Sequence, residues 1–370
     1  MRRFEFFRWA SLGLICAATP QLMSADELVP SPAPLPSAVV GEEPRDPQQV
    51  FTDAQKPEIE QVSASTWATP VAPPPSMASL GGCCGESDTG LLGLGGGLLG
   101  FIKPSDTCFS NFISPISNPL FFEDPRTLSE VRLIFANHWL PQNNPVFQGG
   151  QAQYLAMQAR VALTERLSFI ATKDGYVWID PDNPAVGNPD GWADVAAGLK
   201  YNLVRDPANQ HVLSVGATFE LDVGSHRVFQ GRGDGEFHFF ATNGVALTEK
   251  SHWLTASGFR LPTDTAARSQ MWYWSNHYDY NIWGKWYAVG ELNWFHYMQS
   301  GKALGVNFEG GDLFNLGATD VAGNDLVTMA VGARRKLWGM SELGIGYELP
   351  VTARQDIISS RLYLDLILRY

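Results

Sequence analysis

The sequence predicts an all-β fold: a transmembrane antiparallel up-and-down β-barrel of about twelve strands, preceded by a disordered Pro-rich linker. Three observations carry that expectation. From Leu128 onward the chain reads as segments in which apolar and polar residues alternate with period two. The connections between these segments alternate short and long. Although 45 % of residues are apolar and only 17 % are charged, no apolar run reaches the roughly 20 residues of a membrane helix. If the chain crosses a bilayer, it does so with strands.

The alternation is cleanest over Ser360 to Tyr370. Leu362, Leu364, Leu366, Leu368 and Tyr370 share one side of an extended strand, and Tyr363, Asp365, Ile367 and Arg369 the other. Strands are expected near residues 128–138, 151–163, 166–179, 191–204, 211–223, 235–246, 251–261, 269–280, 285–298, 326–336, 341–349 and 360–370. Twelve is an even number, as in single-chain bacterial barrels. Short connections fall at 164–165, 205–210, 247–250, 281–284 and 337–340, and long ones at 139–150, 180–190, 224–234, 262–268, 299–325 and 350–359. Loops sorted by side fit a barrel with one rim in the periplasm and the other outside; a soluble Greek-key sandwich has no reason to sort them.

Parity then assigns faces. In the fifth strand Leu213, Val215, Ala217, Phe219 and Leu221 face lipid, opposite Ser214, Gly216, Thr218, Glu220 and Asp222. The same count puts Arg132, Arg160, Asp194, Lys200, Asn202, Glu220, Asp222, Glu291, Asn293, Arg334, Glu342, Glu348, Asp365 and Arg369 in the lumen, with the aromatics Tyr176, Trp178, Trp192, Phe240, Tyr287 and Phe295. A charge on the lipid side costs about 2 to 4 kcal/mol at mid-depth, so the register is strongly specified. Trp139, Trp253, Trp272, Trp274, Trp283, Trp286 and Trp338 gather toward strand ends, where an indole suits the interface.

Ahead of the barrel the chain divides further. Arg2, Arg3 and Arg8 precede a short apolar stretch from Trp9 to Ala18, an export signal within 1–25 with cleavage after Ala18 or Ala25. Cys16 suits a lipoprotein poorly, because Leu14 and Ile15 stand where small residues are needed. Residues 26–78, rich in Pro, Ala, Ser, Glu and Gln, read as a disordered periplasmic linker of about 40 Å typical span, a spacer or a tether to the cell wall or a periplasmic partner. Residues 79–127 hold a Gly-rich apolar stretch and a Pro-broken lead-in, and 128–370 form the barrel. The Gly-rich stretch is expected at the barrel mouth or in the lumen as a small plug. The lead-in is expected to pack Phe112, Leu120, Phe121 and Phe122 near the start of the first strand.

Little points to chemistry. Gly95, Gly97 and Gly100 match a dinucleotide-loop spacing without the strand and βαβ unit it needs. Of Cys83, Cys84 and Cys108, one pair at most is expected to bond, from Cys83 or Cys84 to Cys108, and no fourth ligand completes a metal site. No metal or cofactor is expected. Arg232-Gly233-Asp234 reads as turn chemistry, and the Asp180, Asp182, Asp190 and Asp320, Asp325 groups lack calcium-loop spacing. A net charge of -12 without a basic patch argues against nucleic acid.

A strand that ends on an aromatic residue resembles the terminal assembly signal of bacterial outer-membrane β-barrels, here Leu362, Leu364, Leu366, Leu368 and Tyr370. That resemblance implies the lipid bilayer and the barrel-assembly machinery as partners and the outer membrane as location. ISPISNPLFFEDPRTLSEV (Ile113 to Val131), GLKYNLVRD (Gly198 to Asp206) and SGFRLPTDTAARSQMWYWSNHYDY (Ser257 to Tyr280) also resemble a group of uncharacterised envelope barrel proteins. More loosely, the domain is similar to transporter-like barrels of aromatic-compound degradation pathways, which hints at small-solute passage. Three functions follow in order of preference. The first is a channel or porin-like transporter for passive passage of small solutes, with loop 299–325 either a constriction or an exposed loop. The second is a structural envelope barrel with a closed lumen. The third is an outer-membrane lipid hydrolase resting on Ser269 opposite His296, both outward, with no motif around either. No catalytic residue is assigned.

Overall fold

A computed structural model describes residues 102–370. The export signal, the linker and the Gly-rich stretch up to residue 101 lie outside the described residues. The described chain contains fourteen strand segments in one antiparallel sheet. They are β1 (Glu130–Trp139), β2 (Gly150–Ala162), β3 (Leu167–Lys173), β4 (Tyr176–Pro181), β5 (Asp190–Trp192), β6 (Val195–Asp206) and β7 (His211–Leu221). Then follow β8 (Glu236–Thr248), β9 (Ser251–Pro262), β10 (Gln270–Trp283), β11 (Trp286–Gln299), β12 (Asp325–Lys336), β13 (Glu342–Pro350) and β14 (Ser360–Arg369).

Segments β3 and β4 are halves of one crossing, and so are β5 and β6, which makes twelve crossings. The first strand pairs with both its neighbours: Glu130 faces Arg369 on β14 and Arg160 on β2, and the ladder runs to Trp139 on each side. The sheet is therefore closed through β1, and among the described strands the three-residue β5 has β4 as its one strand partner.

Period two decides what each face meets. Leu155, Met157, Leu199, Leu203, Met329, Val331, Ile345 and Leu364 are exposed on the outside. Their neighbours in sequence, such as Gln158, Lys200, Thr328 and Asp365, are buried inside. An apolar exterior around a polar interior is the arrangement of a barrel that crosses a bilayer with strands. Trp283, Trp286 and Trp338 lie exposed at the short-turn rim, and Trp139 and Trp178 at the opposite one.

The short connections at one rim are 163–166, 207–210, 249–250, 284–285 and 337–341; the long ones at the other are 140–149, 182–189, 222–235, 263–269, 300–324 and 351–359. At the tightest, Gly284 takes a positive φ of 54° in the two-residue turn between β10 and β11. Such a turn needs left-handed backbone, which glycine adopts without a side-chain clash.

Two crossings break their period, and this corrects the parity count. Ladder register shifts between Ala171 and Lys173, and the crossing is interrupted at 174–175. A second interruption falls at 193–194, where Ala193 and Asp194 are both buried. One extra residue flips every side chain beyond it to the other face. Trp178 and Trp192, expected in the lumen, are exposed on the outside, and Tyr176 is only half-buried, with its ring against Trp178 and Trp192. Phe240, Tyr287 and Phe295 are buried inside.

Candidate functional site

The interior of the barrel is occupied by its own chain. Residues 103–129 leave the short-turn rim, run up the lumen and return to the same rim to enter β1. The root is fixed there: Lys103 N donates to Ala162 O at 2.9 Å, Ser105 N to Tyr370 O at 2.7 Å and Asp106 N to Thr127 O at 2.9 Å. A single 3-10 turn, Thr107–Phe109, is capped by the Asp106 carboxylate, which also holds the Arg205 guanidinium at 2.7 Å. Cys108 is disulfide-bonded; the pairing expected with Cys83 or Cys84 involves residues outside the described region.

The lead-in, expected to pack near the start of the first strand, runs through the lumen. Phe109, Phe112, Ile113, Ile116, Leu120, Phe121 and Phe122 are buried within the barrel. Pro115, Pro119 and Pro125 keep the segment from forming a helix or a ladder, so its backbone groups need partners elsewhere. The wall supplies them. Ser114 N donates to Glu342 at 3.2 Å, and Ile116 N and Ser117 N donate to Glu291 at 2.8 and 2.6 Å. Pro115 O accepts from Arg132 and Arg334 at 2.9 and 2.8 Å, Pro119 O from Gln158 at 2.8 Å and Thr242 donates to Glu123 O at 2.7 Å.

The wall residues named from parity fall into three groups. Near the root, Asp365 accepts from Arg132 at 2.8 Å and from Arg334 at 2.6 Å, while Arg369 joins Glu130 at 2.6 Å and also pairs with Glu342. Beside the middle of the segment, Arg160 and Lys200 close on the Glu123 carboxylate, each at 2.8 Å to one oxygen. Ser214 Oγ donates to Pro125 O and lies 2.9 Å from the Asn202 side-chain amide. Across the lumen Asn293 donates to Ser117 Oγ at 2.9 Å and to Glu348 at 3.2 Å, next to Glu291. Nearer the long-loop rim Asp194 and Glu220 both hold Arg268, at 2.8 Å each. Asp222 does not belong: β7 ends at Leu221, and Asp222 is exposed in the loop beyond it.

Several interior charges went unnamed. Glu236, Arg260, His277, Asp279 and Arg361 all lie at inward parity on strands already recognised, so the same count could have found them. Glu123, Asp124 and Arg126 carry no such signal, because the segment has no period. Asp124 and Arg126 pair with each other at 2.7 Å. A chain of buried contacts joins His252 to Asp279 at 2.8 Å, Asp279 to His277 at 3.2 Å and His277 to Glu291 at 2.6 Å, reaching the backbone of the segment.

The long loop 300–324 closes the opposite mouth. Phe308, Leu313, Phe314 and Leu316 are buried, Asp312 pairs with Arg361, and Asn315 donates to Glu236 at 2.8 Å. Glu309 accepts from Ser269 Oγ at 2.6 Å and from the amides of Leu316 and Ala318 at 2.8 Å each. Burial pushes the Glu309 carboxyl above its ordinary value despite those bonds. Ser269 is thus turned inward, and His296 faces Trp272 and bonds Asp325 instead. The Ser269–His296 pairing does not exist. Two internal gaps, one beside Leu120 and Glu220 and one beside Phe147 and Phe314, measure about 10 Å³ each, room for roughly one water.

No family model matches the chain, and no curated protein matches it significantly. Among solved structures it is similar to an outer-membrane channel from Pseudomonas putida F1, at 11 % identity over 70 % of this chain and 100 % of that one, with a TM-score of 0.47. It is also similar to the KdgM porin in complex with disordered oligogalacturonate, at 9 % identity over 65 % and 99 % of the two chains, TM-score 0.38. The CymD monoaromatic hydrocarbon channel follows at 8 % identity over 72 % and 94 %, TM-score 0.37. Similarity at this level says nothing of activity. With twelve crossings, a closed ladder and an apolar exterior, the chain is a transmembrane β-barrel of the outer-membrane type.

Proposed function

We propose that this protein is an outer-membrane channel for passive passage of small solutes, gated by the segment 103–129 and by loop 300–324. The observation that supports it is how the interior is filled. A barrel built only to be solid can pack apolar side chains inside, and buried ion pairs add little stability over such packing. Here the wall presents Arg132, Arg160, Lys200, Glu291, Arg334, Glu342 and Asp365 inward, and the segment lies among them on hydrogen bonds and ion pairs. Water and small solutes can replace bonds of that kind.

In this reading the short turns and both roots of the segment lie in the periplasm, the lipid bilayer and the barrel-assembly machinery are partners, and residues 26–78 tether the barrel to the cell wall or a periplasmic protein. The lumen residues named above set solute preference, and no residue has a catalytic role. The filled interior also favours a second reading, a closed structural barrel.

Single-channel recording separates them. Asn118 Nδ2 lies 2.9 Å from Ser275 Oγ, so Asn118→Cys with Ser275→Cys staples the segment to β10. The full chain is expected to show brief openings, the oxidised staple none, and the reduced staple openings again, with reduced wild type as control. Silence from every form, including Glu123→Gln, supports the structural barrel and ends the channel reading.

A further inference from the structure

We infer that the turn of the lumen segment occupies a binding site for a small organic carboxylate, whose anionic end belongs on Arg160 and Lys200. The inference deepens the channel reading and rests on it for the route by which a solute arrives. Glu123 is a carboxylate delivered to two cations from different strands. Arg160 on β2 donates through Nε to both carboxylate oxygens at 2.8 and 3.0 Å, and Lys200 on β6 donates at 2.8 Å. All three side chains are buried.

The rest of the wall does not need Glu123 for charge balance except at this point. Arg160 keeps Glu130 at 3.0 Å, but among the described residues Lys200 has no other carboxylate within ion-pair distance. When Glu123 leaves, a buried ammonium is left without a counter-charge, a costly state that an incoming anion relieves. A planar guanidinium beside a point charge suits a carboxylate in particular.

The apolar part of such a solute has a place too. Two residues before Glu123, the Phe121 ring stacks on Tyr273 at 5.4 Å between centroids, meets His238 at 4.9 Å and lies under the Arg260 guanidinium at 5.3 Å. A ring and a carboxylate, both supplied by the chain itself, fill one continuous stretch of the lumen. The segment would then be displaced by what it imitates, and the solute that opens the path is the one that the path accepts.

The test uses the full chain with Glu123→Gln in detergent, radiolabelled benzoate as the probe and acetate as competitor. Saturable benzoate binding is expected in the variant, with acetate competing weakly, and affinity should fall about tenfold when Lys200→Gln is added, the loss of one charge-assisted bond. Phe121→Ala, whose Glu123 still fills the site, should bind no benzoate. In planar bilayers under a salt gradient the Glu123→Gln channel should prefer chloride over sodium, and adding Lys200→Gln should shift its reversal potential toward the cation. Binding without conductance would overturn the channel and leave this site standing. Conductance with no benzoate binding, and no shift on adding Lys200→Gln, would overturn the site and leave the channel. If Glu123→Gln fails the heat-modifiable gel test for folding, Glu123→Ala, which also removes the charge, takes its place under the same criteria.

Discussion

Arg334 on β12 and Pro115 of the lumen segment are joined by a 2.8 Å hydrogen bond, from guanidinium Nη2 to the carbonyl oxygen. The same guanidinium donates through Nε to Ser114 O at 2.6 Å and holds Asp365 at 2.6 Å. One side chain thus ties two consecutive carbonyls of the segment and a wall carboxylate together.

Replacing Arg334 by Met should therefore cost about 3 to 5 kcal/mol, because Asp365 and both carbonyls lose a buried partner at once. The measurement is the urea concentration at which the compact, heat-modifiable gel band is lost. A midpoint unchanged from wild type would mean that the segment does not depend on this anchor.

Two glycines in the wall should respond unequally to alanine. A Cβ on Gly198 would lie 1.9 Å from Ala217 O, a backbone atom of the paired strand, whereas a Cβ on Gly290 meets nothing within 4 Å. Gly198→Ala should cost about 1 to 3 kcal/mol or prevent closure, and Gly290→Ala should stay within about 0.5 kcal/mol of wild type. Yield of folded protein in vesicles reads both.

The register breaks make a claim about lipid. Trp178 and Trp192 are exposed on the outside, so brominated lipid should quench them. Trp178→Phe and Trp192→Phe together should lower the lipid-quenchable fraction of the fluorescence. An unchanged fraction would return both rings to the interior.

Loop 300–324 should be held more tightly in acid. Burial raises the Glu309 carboxyl above the ordinary value of 4.5, and burial likewise raises Asp356, against the opposing pull of Arg354. A carboxyl raised on folding binds its proton more firmly in the seated loop than in the released one. The stability it contributes is complete below the ordinary value and is lost as pH climbs through the raised one. Around this group stand Ser269, Arg260, Tyr297 and Asp356; of these Asp356 titrates in the same direction. Hydrogen exchange of the loop, corrected for intrinsic rate, should show more protection at pH 4 than at pH 7.5, and Glu309→Gln should reduce the difference.

Much of the barrel was legible because a lipid wall enforces a period of two. Leu155 and Met157 against Gln158 and Arg160, or Leu364 against Asp365, declare their faces without any knowledge of neighbours. The reading failed at the two breaks: at 174–175 it passed over Asp174-Gly175, a turn dipeptide inside a strand run, and at 193–194 nothing in Ala193-Asp194 distinguishes a bulge from a continuing strand. It failed more seriously for residues 103–129. A Pro-broken run of Phe, Ile and Leu says that it must be buried but not where, and its site is set by carbonyls and amides that meet side chains up to 228 positions away. Glu123 stands in the lead-in, where no period assigns it a face. Only the closed wall makes it the counter-charge of Lys200.

The roots of the lumen segment share their fastenings with the seam. Ser105 N donates to Tyr370 O, and Tyr370 N donates to Ser129 O, so the residue just beyond β14 clasps both the entering and the leaving limb of the segment beside the line where β1 meets β14. Closing the cylinder and seating its interior segment thus draw on the same hydrogen bonds. A half-assembled intermediate with the seam still gaping should also be hollow.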